Sequence, residues 1–406
     1  QGEIGISAQY IKTHSLKNDK GGYDTHIKIS VDNYDRSNTL VIDPLVTPTL
    51  VWGTYFGGND LDGSCNITTD VSGNVFATGY VSFANFPLQN AGTYYDGTVA
   101  GGGDNFILKF TNAGAILWST FYGGSSAVES GACIATDLSG NVFVTGYTAS
   151  GNLPTQILAG AYNQTVFGGG VYDAFILKFT NAGALSWGTF YGGSGADKGK
   201  SIFVSGTNVF VTGITSSTNL PTQSPYQPAN AGGTNDAFIL KFTTAGALSF
   251  ATYFGGSGNE IATSIAADAN GCYVTGYTES ADFPPLNPGG GAYFDGTYNG
   301  MGDGFIVKFN NANALIWSTY YGGTGFDEGE SIIVDGTANV FINGMTDSGN
   351  LPTQVLAGAY NQAANGGSYD IFILKFDNAG VRQWATYYGG NDFDAFDTQT
   401  GYRERT

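Results

Sequence analysis

Histidine is nearly absent from this sequence, and cysteine and methionine are scarce. The 406 residues include two histidines, three cysteines and two methionines. His14 and His26 both precede the repeated part of the chain, so we expect no histidine triad and no histidine-ligated metal in the main body. Cys65, Cys133 and Cys272 form no CxxC pair, which excludes a disulfide-dense scaffold and argues against a zinc site. We interpret them as small buried residues.

Basic residues are also few. The chain has 15 lysines and arginines against 33 acidic residues, a net charge of −18. Nucleic acids and anionic membranes recruit basic patches, so we expect neither as a partner. The sequence has no run of about 18 apolar residues that could span a bilayer. It starts QGEIG without a signal peptide, and we expect a soluble chain that is a processed or partial piece of a protein.

Glycine and aromatic residues are abundant, with 63 Gly, 28 Phe and 25 Tyr. Glycine weakens helices and aromatic residues favour strands, so the composition predicts an all-β protein. A segment of the type aromatic–Thr–aromatic–aromatic–Gly–Gly recurs every 63 to 69 residues. Its copies begin at Trp52, Trp118, Trp187, Trp317 and Trp384 and, with Phe in the first place, at Phe250. Such a period is typical of an array or closed ring of repeated units.

The sequence of one repeat unit predicts four antiparallel strands. In residues 322–390, SIIVDG and TANVFINGMT form a predicted hairpin, and a loop of roughly twenty residues follows. DIFILKF is the third strand, DNAG a turn and VRQWATYYGG the fourth strand. Four antiparallel strands in a repeated unit indicate a β-propeller blade. We predict five complete repeats of about 67 residues with partial ends.

The repeat can be written W-S-T-[FY]-[FY]-G-G, then D-x-x-G-N-V-[FY]-V-T-G-Y-T, then D-x-F-I-[LV]-K-F. It resembles the bacterial family of seven-bladed β-propeller (SBBP-type) repeats over residues 50–390. The resemblance implies a long secreted or cell-surface protein, often exported by the type IX route, although the sorting domain of that route is absent from this sequence. We assign residues 1–48 to the end of a preceding β-rich domain and 49–406 to propeller repeats. The blades are expected at about 59–124, 125–193, 194–256, 257–323 and 324–390, with 391–406 and 49–58 as a partial blade.

A lysine recurs inside the apolar third-strand motif. Residues 51–380 contain only seven basic side chains, all lysines. Five of them belong to this motif: Lys109, Lys178, Lys241, Lys308 and Lys375. Because strands alternate their faces, each lysine points away from the aspartate that opens its motif. We expect the lysine to reach an acid or carbonyl group of the adjacent blade, a contact whose loss costs about 3–5 kcal/mol.

The motif aspartates are assigned, together with the lysines, to structural pairing of blades. They are Asp104, Asp173, Asp236, Asp303 and Asp370. The catalytic alternative is a desolvated lysine that acts as a base or Schiff-base nucleophile. An enzyme needs one such residue in one pocket, whereas five equivalent copies indicate a structural part. We therefore predict no catalytic residue, no cofactor and no enzymatic activity.

Single acids recur in two further places. The hairpin turns carry one carboxylate each, which fits hydrogen-bonded turns better than calcium loops. These residues are Asp70, Asp137, Asp268 and Asp335. The corners after the Gly-Gly pairs carry Asp60, Asp62, Glu129, Asp197, Glu260, Asp327 and Glu328. The corner acids have three open roles: to receive the lysines, to bind cations or to solvate a turn. Among them Asp60, Asp62, Asp327 and Glu328 are weak calcium candidates.

The long loops are the expected contact sites for partners, because binding usually lies on loops of a rigid scaffold. Residues 152–164 and 350–362 are almost identical. We predict a non-enzymatic extracellular module of a larger bacterial surface protein, serving as adhesin, spacer or assembly scaffold, with protein domains or surface glycans as partners. The alternatives are a carbohydrate-binding, lectin-like propeller and a carboxylate-dependent glycosidase.

Ring closure is the last expectation. Residues 49–58 supply a fourth strand without its three partners, and the C-terminal end supplies at most a first strand. Closed propellers usually complete one blade with strands from both chain ends, because an unpaired edge invites aggregation. We predict either a ring closed at six blades with help from residues 23–45 or a truncated portion of a longer array, and we favour the ring.

Overall fold

The computed structural model describes residues 8–17, 23–31, 50–59, 62–82, 85–90, 94–126 and 129–394. The chain divides into two compact units, Gln1–Val51 and Trp52–Thr406. In the first unit, β1 (Ala8–Lys17) and β2 (Tyr23–Val31) form a two-stranded antiparallel sheet. No helix in the described ranges is long and apolar enough to cross a membrane.

The second unit contains five four-stranded antiparallel sheets, and each sheet is one blade with its strands in chain order. Blade 1 consists of β3 (Asp62–Thr69), β4 (Val75–Val81), β5 (Asp104–Phe110) and β6 (Ile116–Tyr122). Blade 2 consists of β7 (Glu129–Thr136), β8 (Val142–Thr148), β9 (Asp173–Phe179) and β10 (Leu185–Tyr191). Blade 3 consists of β11 (Asp197–Ser205), β12 (Asn208–Thr215), β13 (Asp236–Thr243) and β14 (Leu248–Phe254).

Blade 4 consists of β15 (Glu260–Asp268), β16 (Gly271–Thr278), β17 (Asp303–Asn310) and β18 (Leu315–Tyr321). Blade 5 consists of β19 (Asp327–Val334), β20 (Val340–Thr346), β21 (Asp370–Phe376) and β22 (Arg382–Tyr388). The first strands β3, β7, β11, β15 and β19 contact one another in this order, so they are the innermost strands. The prediction of an all-β fold with four-stranded antiparallel blades is confirmed.

A bulge in each first strand explains the glycine of the V-T-G-Y-T motif. In blade 5 the register of β19 and β20 shifts between Gly329 and Ser331. The bulge brings the backbone carbonyl of Glu328 over Gly344, where an added Cβ would lie 2.0 Å from the carbonyl oxygen. The other four blades show the same approach at 1.9–2.0 Å, at Gly79, Gly146, Gly213 and Gly276. A side chain at this position therefore collides with the backbone.

Alternating faces of the third strands build the core between blades. In β9, Ala174 and Ile176 pack with blade 3, whereas Phe175, Leu177 and Phe179 pack with blade 1. Both faces are therefore buried in apolar surroundings. Apolar burial of this kind stabilises a fold by about 25 cal/mol per Å². Four of the five core clusters contain residues of two successive blades and hold those blades together.

The fourth-strand aromatic residue packs on a turn of the next blade. Trp317 lies against Gly380, which has φ +81° and would place a Cβ 3.2 Å from the indole ring. The same tryptophan–glycine contact joins Trp52 to Gly114, Trp118 to Gly183 and Trp187 to Gly246. The exception is the contact between blades 3 and 4. The aromatic residue of blade 3 is Phe250, and the equivalent turn residue of blade 4 is Asn313, with φ +64°. Asn is the residue after Gly that best tolerates this conformation.

The loop between the second and third strands returns along the outer edge of its blade. In blade 2, Gln156 forms a bridge with Gly188, and Gln164 forms one with Phe190, both on the outermost strand β10. Bridges of this kind occur in all five blades. The loops therefore cover the edge strands, which would otherwise present unpaired backbone groups to other chains.

The closed ring of six blades that the sequence favoured is not formed by the described residues. Residues 50–58 form no strand and pair with no residue near the C-terminal end as far as Asp394. Instead, Trp52 Nε1 donates to the Asn112 carbonyl of blade 1 at 2.9 Å, and the Phe56 ring packs on Phe110. Residues 23–31 pair with β1. The remaining positions that this prediction involved lie outside the described residues.

Candidate functional site

The motif lysines cross from one blade to the next. In each case Nζ donates to a backbone carbonyl in the turn between the third and fourth strands of the following blade. The contacts are Lys109 to Asn181, Lys178 to Thr244, Lys241 to Asn311 and Lys308 to Asn378, at 3.4, 2.7, 2.9 and 2.6 Å. Lys109 also lies 3.9 Å from the Asp70 carboxylate. No following blade is present among the described residues to receive Lys375.

Each motif lysine also lies over an aromatic ring of the second strand of its own blade. The Nζ–centroid distances are 5.0–5.8 Å, for Lys109 over Phe76, Lys178 over Phe143, Lys241 over Phe210, Lys308 over Tyr273 and Lys375 over Phe341. Burial lowers the pKa of Lys308, and the carboxylates of Asp268 and Asp377 oppose this effect. The contact with the ring recurs in all five blades, and the contact with a turn carbonyl recurs in four.

The motif aspartates have partners different from those of the lysines. In every blade, Oδ2 accepts a hydrogen bond from a backbone N–H of the preceding loop. The donors are Ala100 to Asp104, Gly168 to Asp173, Ala231 to Asp236, Asn299 to Asp303 and Gly366 to Asp370, at 2.6–3.0 Å. Each of these bonds lies within one blade. The aspartates therefore anchor the long loops and do not pair with the lysines.

Four of the five motif aspartates face an acid of the following blade. A Cβ added at Gly322 would lie 2.6 Å from Asp303 Oδ1 and 2.9 Å from Asp327 Oδ2, so the two carboxyl groups converge on the first glycine of the Gly-Gly corner. Both acids are fully buried. We call such pairs the junction acids: Asp104 with Glu129, Asp173 with Asp197, Asp236 with Glu260 and Asp303 with Asp327.

The two members of a junction pair differ in their hydrogen bonds. Asp327 Oδ2 accepts bonds from the Gly323 N–H at 2.7 Å and the Ser348 hydroxyl at 2.8 Å. Asp303 accepts only one bond, from the Asn299 N–H to Oδ2 at 2.9 Å. The Oδ1 atoms of both acids have no hydrogen-bond partner. Burial, together with the nearby Asp327 and Asp295 carboxylates, raises the pKa of Asp303 to about 7. Two adjacent buried carboxylates do not both ionise readily, so Asp303 is the member that holds a proton.

The acids of the hairpin turns are used locally. Asp137 Oδ1 accepts bonds from the backbone N–H groups of Ser139 and Asn141, both at 2.9 Å, and Oδ2 accepts one from the Asn141 amide at 2.8 Å. Asp70 and Asp335 make the same set of bonds. Asp268 accepts bonds from Asn270 and Gly271. These are side-chain-capped turns of the kind that Asp favours.

The structure does not bring the calcium candidates together. Asp62 lies in blade 1, whereas Asp327 and Glu328 lie in blade 5, and Asp60 lies outside the described residues. Asp327 belongs to a junction pair, while Glu328 belongs to the cluster of inner strands described next. Within the described ranges, no group of three or more His, Cys, Asp or Glu side chains is placed to hold a metal ion.

Two pairs of charged residues interrupt the repeat on the innermost strands. Lys198 and Lys200 lie on β11 of blade 3, and Glu328 and Glu330 lie on β19 of blade 5. Lys200 interacts electrostatically with both glutamates, so the two pairs lie close to each other although blade 4 separates their blades along the chain. We call these four residues the inner-strand cluster. It is the place where charge departs from the repeated pattern.

Burial controls the protonation of the inner-strand cluster. It lowers the pKa of Lys200, an effect that Glu328 and Glu330 oppose. Burial, assisted by Glu330 and opposed by Lys200, raises the pKa of Glu328 to about 8. Glu328 is fully buried, and its Oε2 has no hydrogen-bond partner. Glu328 therefore holds a proton at neutral pH, as a general acid would.

Lys198 lies against two tyrosine rings of blade 2. Its Nζ is 4.7 Å from the ring centroid of Tyr147 and 4.4 Å from that of Tyr172. The two rings pack edge to face at 5.1 Å. A cation over an aromatic face gains about 0.5–2 kcal/mol, depending on its exposure to water. This contact orients Lys198 without a carboxylate partner.

Sequence reasoning missed the inner-strand cluster, although the repeats contain a signal for it. The position two residues before the bulge residue is occupied in the five blades by Gly63, Ser130, Lys198, Ile261 and Glu328. The bulge position is occupied by Cys65, Ala132, Lys200, Thr263 and Glu330. Both positions vary in charge, whereas the position between them holds only the small residues Ser64, Gly131, Gly199, Ala262 and Gly329. Comparison of equivalent positions, and not of motifs, would have singled out these residues.

The three cysteines differ in exposure. Cys272 is buried, Cys133 is half-buried and Cys65 is exposed. The expectation of small buried residues is therefore wrong for Cys65. It occupies the bulge position of β3, and its thiol interacts with Ser130 of blade 2. Burial raises the pKa of the Cys272 thiol to about 12, which makes that thiol unreactive.

Comparison with known proteins agrees with the repeat architecture. Residues 117–154 match the family model described as SBBP, β-propeller repeat. An uncharacterised WD repeat-containing protein of Acanthamoeba polyphaga mimivirus is 24% identical over 323 residues, which cover 68% of this chain and 23% of that protein. This chain thus spans less than a quarter of that relative's length.

Two solved mutants of the Synechocystis apocarotenoid oxygenase show a TM-score of 0.34 and 10% identity, over 82% of this chain and 71% of theirs. This likeness is too low to bear on function. The family match and the five four-stranded sheets agree with each other. Residues 117–154 are therefore similar to a β-propeller repeat of the SBBP type, and the five blades share one four-stranded architecture.

Proposed function

We propose that this chain is a non-enzymatic module of a larger bacterial surface protein, where it serves as adhesin, spacer or assembly scaffold. The observation that carries the proposal is the use of the repeated charged residues. Lysines connect blades, aspartates anchor loops, and turn acids cap hairpins. A chemical role would set one copy apart from the others, because a reaction needs a single pocket. The acidic surface and the resemblance to secreted repeat proteins support an extracellular setting.

The long loops are the binding surface in this proposal. In blade 2 the loop is rigid, because the Asn163 amide donates to the carbonyls of Leu158 at 3.0 Å and Ala161 at 2.8 Å. The backbone N–H of Tyr162 donates to Gly246 of blade 3 at 2.8 Å. Ile157 nevertheless stays exposed on this loop. Apolar side chains on a rigid loop suit a protein partner.

The inner-strand cluster favours one alternative, a carboxylate-dependent hydrolase. Glu328 is protonated at neutral pH, and Glu330 lies two residues away on the same strand. Two acidic side chains close together, one of them protonated, are the arrangement that glycosidases use. Lectin-like binding is the other alternative, and exposed Tyr95 and Tyr360 on the loops favour it.

Incubation with a broad panel of oligosaccharides separates the three functions. The scaffold proposal expects neither turnover nor saturable binding. Turnover that is lost in Glu328→Gln and Glu330→Gln supports the hydrolase and overturns the proposal. Saturable binding without turnover supports the lectin. The variant Ile157→Asp serves as a loop control, since it changes the outer rim and leaves the inner strands intact.

Localisation requires a separate experiment. Antibodies against this chain should label intact source cells if the protein is at the cell surface. Labelling that occurs only in lysates would contradict the extracellular part of the proposal.

A further inference from the structure

The junction between blades 1 and 2 brings a lysine amine against an asparagine amide. Lys109 Nζ donates to the side-chain Oδ1 of Asn181 as well as to the backbone carbonyl of that residue. Lys109 is 4% exposed. Asn181 is held by a hydrogen bond from its Nδ2 to the Ser139 carbonyl at 3.1 Å and by one from the Trp118 indole to its backbone carbonyl at 3.2 Å. A potential nucleophile and an amide carbon are therefore fixed side by side.

Asp70 adds a carboxylate to this pair. Its Oδ2 atom lies 3.9 Å from Lys109 Nζ. Asp70 Oδ2 and Asn181 Nδ2 both lie within 3.3 Å of the point that a Cβ on Gly140 would occupy. The carboxylate is therefore close to the amine and to the amide nitrogen at the same time. A carboxylate in this place can take a proton from the amine and return it to a departing nitrogen.

Two other junctions present the motif lysine without an adjacent amide. Lys178 donates to the backbone carbonyl of Thr244, whose side chain is a hydroxyl group. Lys241 donates to the backbone carbonyl of Asn311 at 2.9 Å, and within the described structure it makes no hydrogen bond to the Asn311 side chain. These junctions are controls within the same chain, since they share the lysine and lack the electrophile.

The junction between blades 4 and 5 has the amide but a weaker relation to acids. Lys308 Nζ donates to Asn378 Oδ1. Asp268 and Asp377 act on Lys308 electrostatically. Among the described residues, however, Lys109 is the one motif lysine with a carboxylate at ion-pair distance. The amine, the amide and the carboxylate therefore meet at the first junction.

We propose that Lys109 and Asn181 join in an isopeptide bond, a covalent cross-link between blades 1 and 2. The cross-link goes beyond the scaffold role and does not depend on it. Asp70 takes one proton from the Lys109 ammonium group, and the electron pair of the free amine forms a bond to Asn181 Cγ. The Cγ–Nδ2 bond breaks, and Nδ2 leaves as ammonia with a proton from the attacking nitrogen. Asp70 then gives its proton to the ammonia, so that an ammonium ion is released and the carboxylate is restored.

Burial and proximity both favour this reaction. Burial lowers the pKa of Lys109, an effect that Asp70 opposes, so the neutral amine forms more readily than in water. Groups held in a reactive geometry behave as if they were present at about 10⁵–10⁸ M. The reaction exchanges one amide nitrogen for another, and so it needs no oxidant and no cofactor. It occurs once in each chain and leaves a bond that persists in denaturant.

Mass spectrometry of the denatured and proteolysed full chain tests the inference. We expect a branched peptide that joins Lys109 to Asn181 and has the mass of the two linear peptides less one molecule of ammonia. Asn181→Ala removes the electrophile and Asp70→Asn removes the base, so both variants should yield only linear peptides. Asn378→Ala, at the equivalent turn of blade 5, is the matched control and should retain the branched peptide.

Three results would overturn the inference. The first is a complete set of linear peptides from the unmodified chain, and the second is an undiminished branched peptide in Asp70→Asn. The third is a branched peptide at Lys308 and Asn378, which would contradict the role given to Asp70. Circular dichroism spectra that match that of the unmodified chain exclude misfolding as the reason for a lost cross-link. The oligosaccharide experiment does not involve this bond, so the two proposals fail separately.

Discussion

Raising the pH should destabilise the propeller, and the junction acids provide the physical reason. Asp303 is fully buried, and its pKa is raised to about 7 by burial and by the neighbouring acids. The ordinary pKa of an aspartate, which applies to the unfolded chain, is 3.8. The folded state therefore keeps a proton that the unfolded state releases between about pH 4 and pH 7. The stabilisation from the Asp303 carboxyl group is fully present below its pKa in the unfolded chain, and it is lost as the pH rises through its pKa in the folded chain.

The magnitude follows from the pKa difference. One pKa unit corresponds to 1.36 kcal/mol, so the loss at a single junction amounts to about 3 kcal/mol between pH 5 and pH 8. Asp104, Asp173 and Asp236 have pKa values of about 7 for the same reason, chiefly burial. Losses at several junctions together approach the whole stability of an ordinary domain, about 5–15 kcal/mol.

Urea unfolding of the wild type and of Asp303→Asn at a series of pH values isolates one junction. The amide of asparagine is neutral at every pH and can donate a hydrogen bond as the protonated acid does. We expect the variant to gain stability relative to wild type by roughly 1.4 kcal/mol per pH unit between pH 5 and pH 7, and the gain to level off above pH 8. A stability difference that does not depend on pH would refute the assignment of a proton to Asp303.

Three further predictions concern glycine and cysteine. Gly344→Ala should cost about 3 kcal/mol in urea unfolding or prevent folding, since its Cβ would meet the Glu328 carbonyl. Gly349 has open space around it, so the control variant Gly349→Ala should keep its stability in the same measurement. Gly380→Ala should cost about 1 kcal/mol more than Gly358→Ala in urea unfolding, because both glycines have positive φ but only Gly380 touches Trp317. Equal losses of stability in the two variants would contradict this contact. A thiol reagent should label Cys65 in the native protein and leave Cys272 unlabelled until denaturant is added, and rapid native labelling of Cys272 would contradict its burial.

The fold was predictable because it depends on local patterns that the sequence repeats. Alternating apolar residues define the strands, and the fixed spacing of the W-S-T segments defines the blades. Strand alternation also predicted that each lysine points away from the aspartate of its own motif. An acid or a carbonyl group of the adjacent blade was the expected acceptor, but the particular turn carbonyl was not predictable, since it is about seventy residues distant, as for Lys308 and Asn378. Backbone acceptors leave no signature in a sequence.

Two features depended on which residues meet across blades. The motif aspartates were expected to pair blades, yet their hydrogen bonds anchor loops and their free oxygens face acids of the next blade. The inner-strand cluster arises because β11 and β19 approach each other past blade 4. Neither relation could be inferred from one repeat alone. Residue comparison between repeats would have found the cluster but not its geometry.

The motif lysines are architectural and act across blade junctions. The most direct test is the free energy of unfolding of five lysine-to-methionine variants, at Lys109, Lys178, Lys241, Lys308 and Lys375. The acceptors are neutral carbonyls, so we expect about 2–3 kcal/mol of destabilisation for the first four, less than for a buried ion pair. Lys375→Met, measured at a concentration where the chain is monomeric, should change stability by less than about 0.5 kcal/mol. Equal losses at all five positions, or no loss at the first four, would contradict the account.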